Sequence, residues 1–156
     1  MDKFRPRRGE NKMNLLLDLI VDLGSFIYNC GLWFLQNPYT KKFLEYDRFA
    51  PGVKVAWEFS GRQHYETTPQ FPDEVELRRT KERDSMKVQL GQEQGVALVT
   101  ITPKDLMLEN MLEKLPEHVP TTLFDVDSLY TIGVEEMCLQ YIEYWERARD
   151  MRFQSR

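Results

Sequence analysis

Three groups of side chains in this sequence could do chemistry together. Asp47 lies in the run Phe43 to Phe49, and Glu58 closes the run Val53 to Phe59, with the dipeptide Pro51-Gly52 between them. If the two runs form a hairpin, both carboxylates come to the same end of it. Paired oxygens of that kind suit a hard divalent cation such as Mg2+, which takes one or two protein carboxylates and keeps several waters. The plainer alternative is a pair of solvent-facing strand charges. Directly after Glu58 come Ser60, Gly61 and His64. Ser60 is two residues on and so projects to the same face as Glu58. His64 carries the one side chain type whose ordinary pKa suits proton transfer near neutrality; the plainer alternative is a hydrogen-bonded loop histidine. The third group is Arg83-Asp84-Ser85-Met86-Lys87. Asp84 shares a helical stripe with Leu77 and Val88, and a carboxylate on a partly apolar face is costly unless it is paired or bound to a metal. Lys87, one turn on, is its natural partner, so a structural Asp84–Lys87 ion pair competes with any functional role.

These groups need elements to position them. Phe43 to Phe49 and Val53 to Phe59 read as two strands joined by the Pro-Gly turn. The segment 62–71, with Pro69 and Pro72 at its end, reads as a loop. Asp73 to Gln94 has the charge density of a long exposed helix that Asp73 can cap. Gly95 stops it, and Val96 to Thr102 is a near-continuous apolar run, expected to be a strand buried on both faces. Pro103 opens a further helix to about Leu115, and Val134 to Arg152 reads as an amphipathic terminal helix. Arg78, Arg79, Lys81 and Arg83 make the charged helix a basic surface, tempered by Glu74, Glu76 and Glu82. The whole, at 156 residues, is expected to be a single mixed α/β domain with no internal repeat and no linker.

Composition narrows the function classes. Twenty-one basic and 25 acidic side chains leave a net charge of −4, which excludes holding nucleic acid by overall positive charge. The 2 cysteines, Cys30 and Cys138, are too few for a disulfide scaffold or a cysteine zinc site. A reducing, cytoplasmic setting follows. Residues 13–36 form the one stretch that could change the class, since a basic opening before an apolar run is how a signal peptide or membrane anchor begins. Asp18 and Asp22 sit inside it, each costing about 2.5–3.5 kcal/mol at a bilayer centre, and no small-residue cleavage site follows. The run is therefore expected to be an apolar helix buried in the core or against a second copy of the chain, making a homodimer, rather than a membrane span. Residues 1–12, with five basic against two acidic side chains, are expected to be a flexible basic terminus.

The order of the three chemical groups is more specific than any one of them. The chain carries Glu58-Phe59-Ser60-Gly61-Arg62-Gln63-His64-Tyr65, then Arg83-Asp84-Ser85-Met86-Lys87, then Gly95-Val96-Ala97-Leu98-Val99-Thr100-Ile101. This resembles the branch of the PD-(D/E)xK nuclease superfamily that includes very-short-patch mismatch-repair and phage homing endonucleases with a Glu-Asp-His-Asp site. The match covers roughly residues 44–106. The resemblance implies a restriction-endonuclease-like core over 43–106, a small mixed central sheet flanked by helices. An N-terminal apolar helix and a helical C-terminal extension over 107–156 would be additions to it.

It also implies an activity: Mg2+- or Mn2+-dependent hydrolysis of DNA phosphodiesters. Asp47 and Glu58 would hold the metal. His64 would assist the attacking water or the leaving oxygen, Asp84 would orient that histidine or the metal's water shell, and Lys87 would offset phosphate charge in place of the usual strand lysine. Arg62, Gln63, Arg79 and Arg83 are the candidates for nucleic-acid contact. One position departs from the pattern: Ser60 stands where such relatives carry Lys, Asp, Asn or Gln. The alternative reading is therefore a weak or inactive nuclease-fold protein that acts as a binding or dimerisation module. A generic α/β domain with a coincidental pattern is the third.

Overall fold

The computed structural model describes residues 7–61 and 74–154. The chain divides into two compact units, one spanning Leu23–Thr100 and the other made of the segments before and after it.

The first unit holds the chemistry. Its strands are β1 (Ile27–Gln36), β2 (Phe43–Ala50), β3 (Val55–Phe59) and β4 (Ala97–Ile101), with helix α2 (Glu74–Glu93) between β3 and β4. The sheet order is β1-β2-β3-β4. β1 pairs antiparallel with β2, Tyr28 opposite Arg48, and β2 with β3, Arg48 opposite Trp57. The sheet is mixed, and the long connection through α2 is what a parallel neighbour to β3 requires. The core gathers Leu35, Leu44, Tyr46, Phe49, Ala56 and Val96, with Met86 and Leu90 of α2 packed against it.

The second unit is helical. Helix α1 (Arg8–Ile20) buries Met13, Leu16, Leu17 and Ile20, an i, i+3, i+4, i+7 stripe. A 3-10 turn (Pro103–Asp105) follows β4, then α3 (Leu108–Lys114) and α4 (Leu129–Gln154). α1 packs on α3 and α4. After α1 the chain is pinned by an isolated bridge from Val21 to Thr121, with Thr122 N–H donating to the Ile20 carbonyl at 2.9 Å.

Four expectations are corrected. The 13–36 run is not one helix: α1 ends at Ile20, Gly24 and Ser25 lie in the break, and Ile27–Gln36 is a strand. The helical period stops at Ile20, and the aromatic and aliphatic residues beyond it pack into a sheet instead. Gly31 is required there, because a side chain would meet the Phe43 Cβ at 2.9 Å. The basic opening is helical from Arg8, and the Lys12 ammonium lies 5.6 Å from the Tyr141 ring centre. β4 is not buried on both faces: it is the sheet's last strand, and Ala97 and Thr100 are exposed. Finally, Pro103 to Leu115 is two pieces. The Asp105 carboxylate accepts from the Thr102 N–H and hydroxyl, both at 2.8 Å, closing a capping box that ends the first turn before α3 begins.

No described helix is long and apolar enough to cross a membrane. One contact that docks α2 on the sheet is Tyr46 against Gly91. The Tyr46 hydroxyl donates to the Lys87 carbonyl at 3.4 Å, and a methyl at Gly91 would strike that hydroxyl. Gly91→Ala should therefore destabilise the chain by about 1–3 kcal/mol, although alanine favours helix. Urea unfolding checks this, and an unchanged or raised midpoint would contradict it.

Candidate active site

β3 alternates. Ala56 joins the core under α2, Trp57 points away as Arg48's cross-strand partner, and Glu58 returns to the α2 side. There it meets Lys87, whose Nζ donates to Glu58 Oε1 at 2.9 Å. Both side chains are largely buried, 9% exposed for Glu58 and 15% for Lys87. Lys87 thus pairs with the strand glutamate across the α2–sheet junction, where the sequence suggested Asp84 one turn away.

The pair helps to line a cleft of about 260 Å³, with Ser60, Asp84, Ser85 and Thr100 as further polar lining and Val88 and Leu98 as apolar lining. Asp84 is half-buried. Asp47 stands beside this group and holds the backbone of β3, its Oδ2 accepting the Phe59 N–H at 2.7 Å. The register of β2 on β3 runs from Arg48–Trp57 to Ala50–Val55, so Asp47 ties down β3 where that ladder ends.

Burial drives the electrostatics. Desolvation is the largest influence on Glu58 and pushes its pKa from the ordinary 4.5 up to about 7. Lys87 opposes the rise, and the negative charges of Asp47 and Asp84 add to it. Glu58 thus feels both other acids, which places all three carboxylates in one electrostatic neighbourhood. Burial, with Glu58 as the second cause, also raises the Tyr46 hydroxyl to about 12, so this tyrosine is a donor at any physiological pH.

Of the sequence-predicted residues, the structure brings Glu58, Asp84 and Lys87 to one cleft and puts Asp47 next to it. Arg62, Gln63 and His64 lie outside the described residues. Arg79 and Arg83 sit exposed on α2, bonded to Glu76 at 2.9 Å and Thr80 at 3.2 Å, and do not line the cleft among the described residues. Sequence reasoning misses Ser85, Thr100, Tyr46 and Gly91. Ser85 falls within the helix motif and Thr100 within the strand motif, but only the docking of α2 on the sheet makes both line one cleft. Asp47 and Glu58 supply the one or two protein oxygens that Mg2+ needs, and their mutual repulsion is what a cation would relieve. No cluster of three or more His, Cys, Asp or Glu side chains able to hold a metal occurs among the described residues.

Comparison with known proteins gives viral relatives that are themselves uncharacterized. The chain is 37% identical over 85 residues to uncharacterized protein 094L of Frog virus 3 (isolate Goorha), covering 52% of this chain and 54% of that one. It is 35% identical over 92 residues to uncharacterized protein 307L of Invertebrate iridescent virus 6, covering 53% and 47%. Uncharacterized protein 033L of Invertebrate iridescent virus 3 is 35% identical over 69 residues, covering 44% and 36%. The chain is similar to viral proteins. It spans about half the length, or less, of these relatives. No family model and no solved structure matches.

The raised Glu58 pKa makes folding pH-dependent. Between pH 4.5 and about 7 the folded chain holds a proton that the unfolded chain has released, so this contribution is complete below 4.5 and lost as pH rises through 7. Glu58→Gln should remove up to about 3 kcal/mol of that fall, seen as a flatter stability profile from pH 4 to 8 in urea titrations. Lys87→Met takes away the lowering influence and should move the fall to higher pH. Identical profiles for wild type and Glu58→Gln would contradict the burial argument.

Proposed function

We propose that the chain carries a metal-dependent phosphodiesterase site of the PD-(D/E)xK type, acting on DNA. The observation that carries this reading is the meeting of Glu58, Asp84 and Lys87 in one cleft beside Asp47, since these residues come from three separate stretches of sequence that the nuclease pattern names in advance. The mixed sheet with α2 over it agrees with a restriction-endonuclease-like core.

In this reading Asp47 and Glu58 hold Mg2+ or Mn2+, which supplies Lewis acidity toward water and phosphate oxygen. Lys87 has two roles. Its ammonium pairs with Glu58, and with a cation held by the carboxylates it would be available to offset phosphate charge. Asp84, on the same helix one turn earlier, orients the water shell. The hydroxyls of Ser60, Ser85 and Thr100 line the cleft and offer hydrogen bonds to phosphate oxygens. His64 carries the proton, a role that rests on the sequence pattern. Arg79 and Arg83, exposed on α2, would contact the phosphates of a flanking strand. A cytoplasmic location agrees with the two free cysteines, Cys30 and Cys138.

A second reading has one observation in its favour. Ser60 is buried and brings neither charge nor amide to the cleft, which suits a nuclease frame that has lost turnover and keeps a binding or dimerisation role.

Supercoiled plasmid with Mg2+ or Mn2+ separates the two. Wild-type chain should nick it, and Glu58→Ala and Lys87→Ala should each lower the rate about a hundredfold or more, the scale seen when one charged group is taken from a transition state. Equal nicking by wild type and Glu58→Ala would remove the proposal. Absence of nicking by a wild-type chain that still binds Mn2+ would favour the second reading.

A further inference from the structure

The hairpin of β1 and β2 carries a surface that the cleft does not use. Between Asp22 and Glu45 the sequence has no acidic residue, and Lys41 and Lys42 are its only charges, in a chain whose net charge is −4. The aliphatic side chains on either side of the turn go inward: Leu35 and Leu44 are buried in the core, and Leu32 packs against it. The rings do not. Trp33 is 74% exposed, Tyr39 84% and Phe43 54%. Rings left in water add nothing to the core, and several of them on one hairpin mark a contact surface.

Backbone of fixed geometry places these groups. Phe43 lies opposite Gln36, and its side chain sits against Gly31, where a Cβ would meet the Phe43 Cβ at 2.9 Å. Trp33 falls between these two positions of β1, so Trp33 and Phe43 lie on neighbouring strands. Tyr39 is held through Asn37, a buried residue whose Oδ1 accepts the Tyr39 N–H at 2.9 Å and the Thr40 N–H at 3.2 Å. The Lys41 N–H donates to the Asn37 carbonyl and the Asn37 N–H to the Lys42 carbonyl, both at 2.9 Å. The turn is closed by its own hydrogen bonds, which lowers the ordering cost of binding through it. Both lysines are exposed, and neither ammonium has a carboxylate partner among the described residues.

Exposed rings interleaved with unpaired cations match a single strand of nucleic acid. Each unstacked base offers a π-face to a ring whatever its identity, and the phosphates take the ammoniums. A duplex keeps its base faces stacked on one another. A membrane surface fits less well, because recognition of anionic lipid calls for a cluster of about four to eight basic residues, and this hairpin has two and turns its leucines inward.

We infer that the β1–β2 hairpin binds single-stranded DNA, stacking bases on Trp33, Tyr39 and Phe43 and holding phosphates with Lys41 and Lys42. That the strand is DNA rests on the phosphodiesterase reading; the stacking surface does not, and it needs no metal.

The test is titration of the full chain with a labelled oligothymidylate of about 20 nucleotides, longer than one site, in EDTA so that no cation-dependent site contributes. The strand should bind and quench the fluorescence of Trp33, the most exposed of the three tryptophans. Trp33→Ala and Tyr39→Ala should each weaken binding about tenfold with unchanged circular dichroism, and Trp33→Phe should keep the affinity and lose the quench. Lys41→Ala combined with Lys42→Ala should lower the slope of log affinity against log salt by about 1.4. No binding, no quench, or equal affinity in wild type and Trp33→Ala would overturn the inference. So would about tenfold tighter binding of oligouridylate, which would assign the surface to RNA, or binding of phosphatidylserine vesicles through Trp33 with none of the oligonucleotide. Affinity lost in Arg79→Ala with Arg83→Ala but kept in Trp33→Ala would overturn it and leave the cleft reading standing, whereas strand binding without nicking would do the reverse.

Discussion

The Glu58–Lys87 pair is the interaction on which the first unit turns. A carboxylate taken this far from water is destabilised unless a charge of opposite sign reaches it, and the ammonium that reaches it comes from the middle of α2. That requirement fixes the height and rotation of the helix on the sheet. Tyr46 and Gly91 hold the same junction one turn further along, through the hydroxyl bonded to the Lys87 carbonyl and the gap left by a missing Cβ. With α2 fixed in this way, Asp84 and Ser85 line the cleft.

A buried ion pair is a weak source of stability alone, since well-packed apolar residues of similar volume serve as well or better. The charges of Asp47 and Asp84 both act on Glu58 and are opposed there by the Lys87 ammonium. Asp47 is anchored by the Phe59 N–H, so its carboxylate presents its charge to Glu58 from a fixed point.

Much of the architecture was legible in the sequence, for reasons that differ between elements. The β2–β3 hairpin was readable because Pro51-Gly52 marks the turn and Val55, Trp57 and Glu58 carry their own pattern. Helix α2 was readable from its charge density and from Gly95, which takes a positive φ of 75° at its end. The failure at 13–36 has a simple cause: continuous apolar content hides the change of period, and only Gly24 and Ser25 mark the break. The depth of β4 was misread because sequence gives no edge or centre to a strand. At the site, the carboxylates and Lys87 could be named from order and spacing, but the partner of Lys87 could not. Spacing along one helix favours Asp84, whereas burial at the sheet favours Glu58, and burial is the stronger demand. Ser85 and Thr100 carry no signal of their own.

The most direct measure of the central claim is calorimetric titration of Mn2+ into wild-type chain and Asp47→Asn at pH 8, where Glu58 is ionised. The account predicts one saturable site on the wild type, with binding lost or weakened at least about tenfold in Asp47→Asn, the scale on which a missing ligand or its support is felt. No saturable binding by the folded wild-type chain, or equal binding by both, would contradict it.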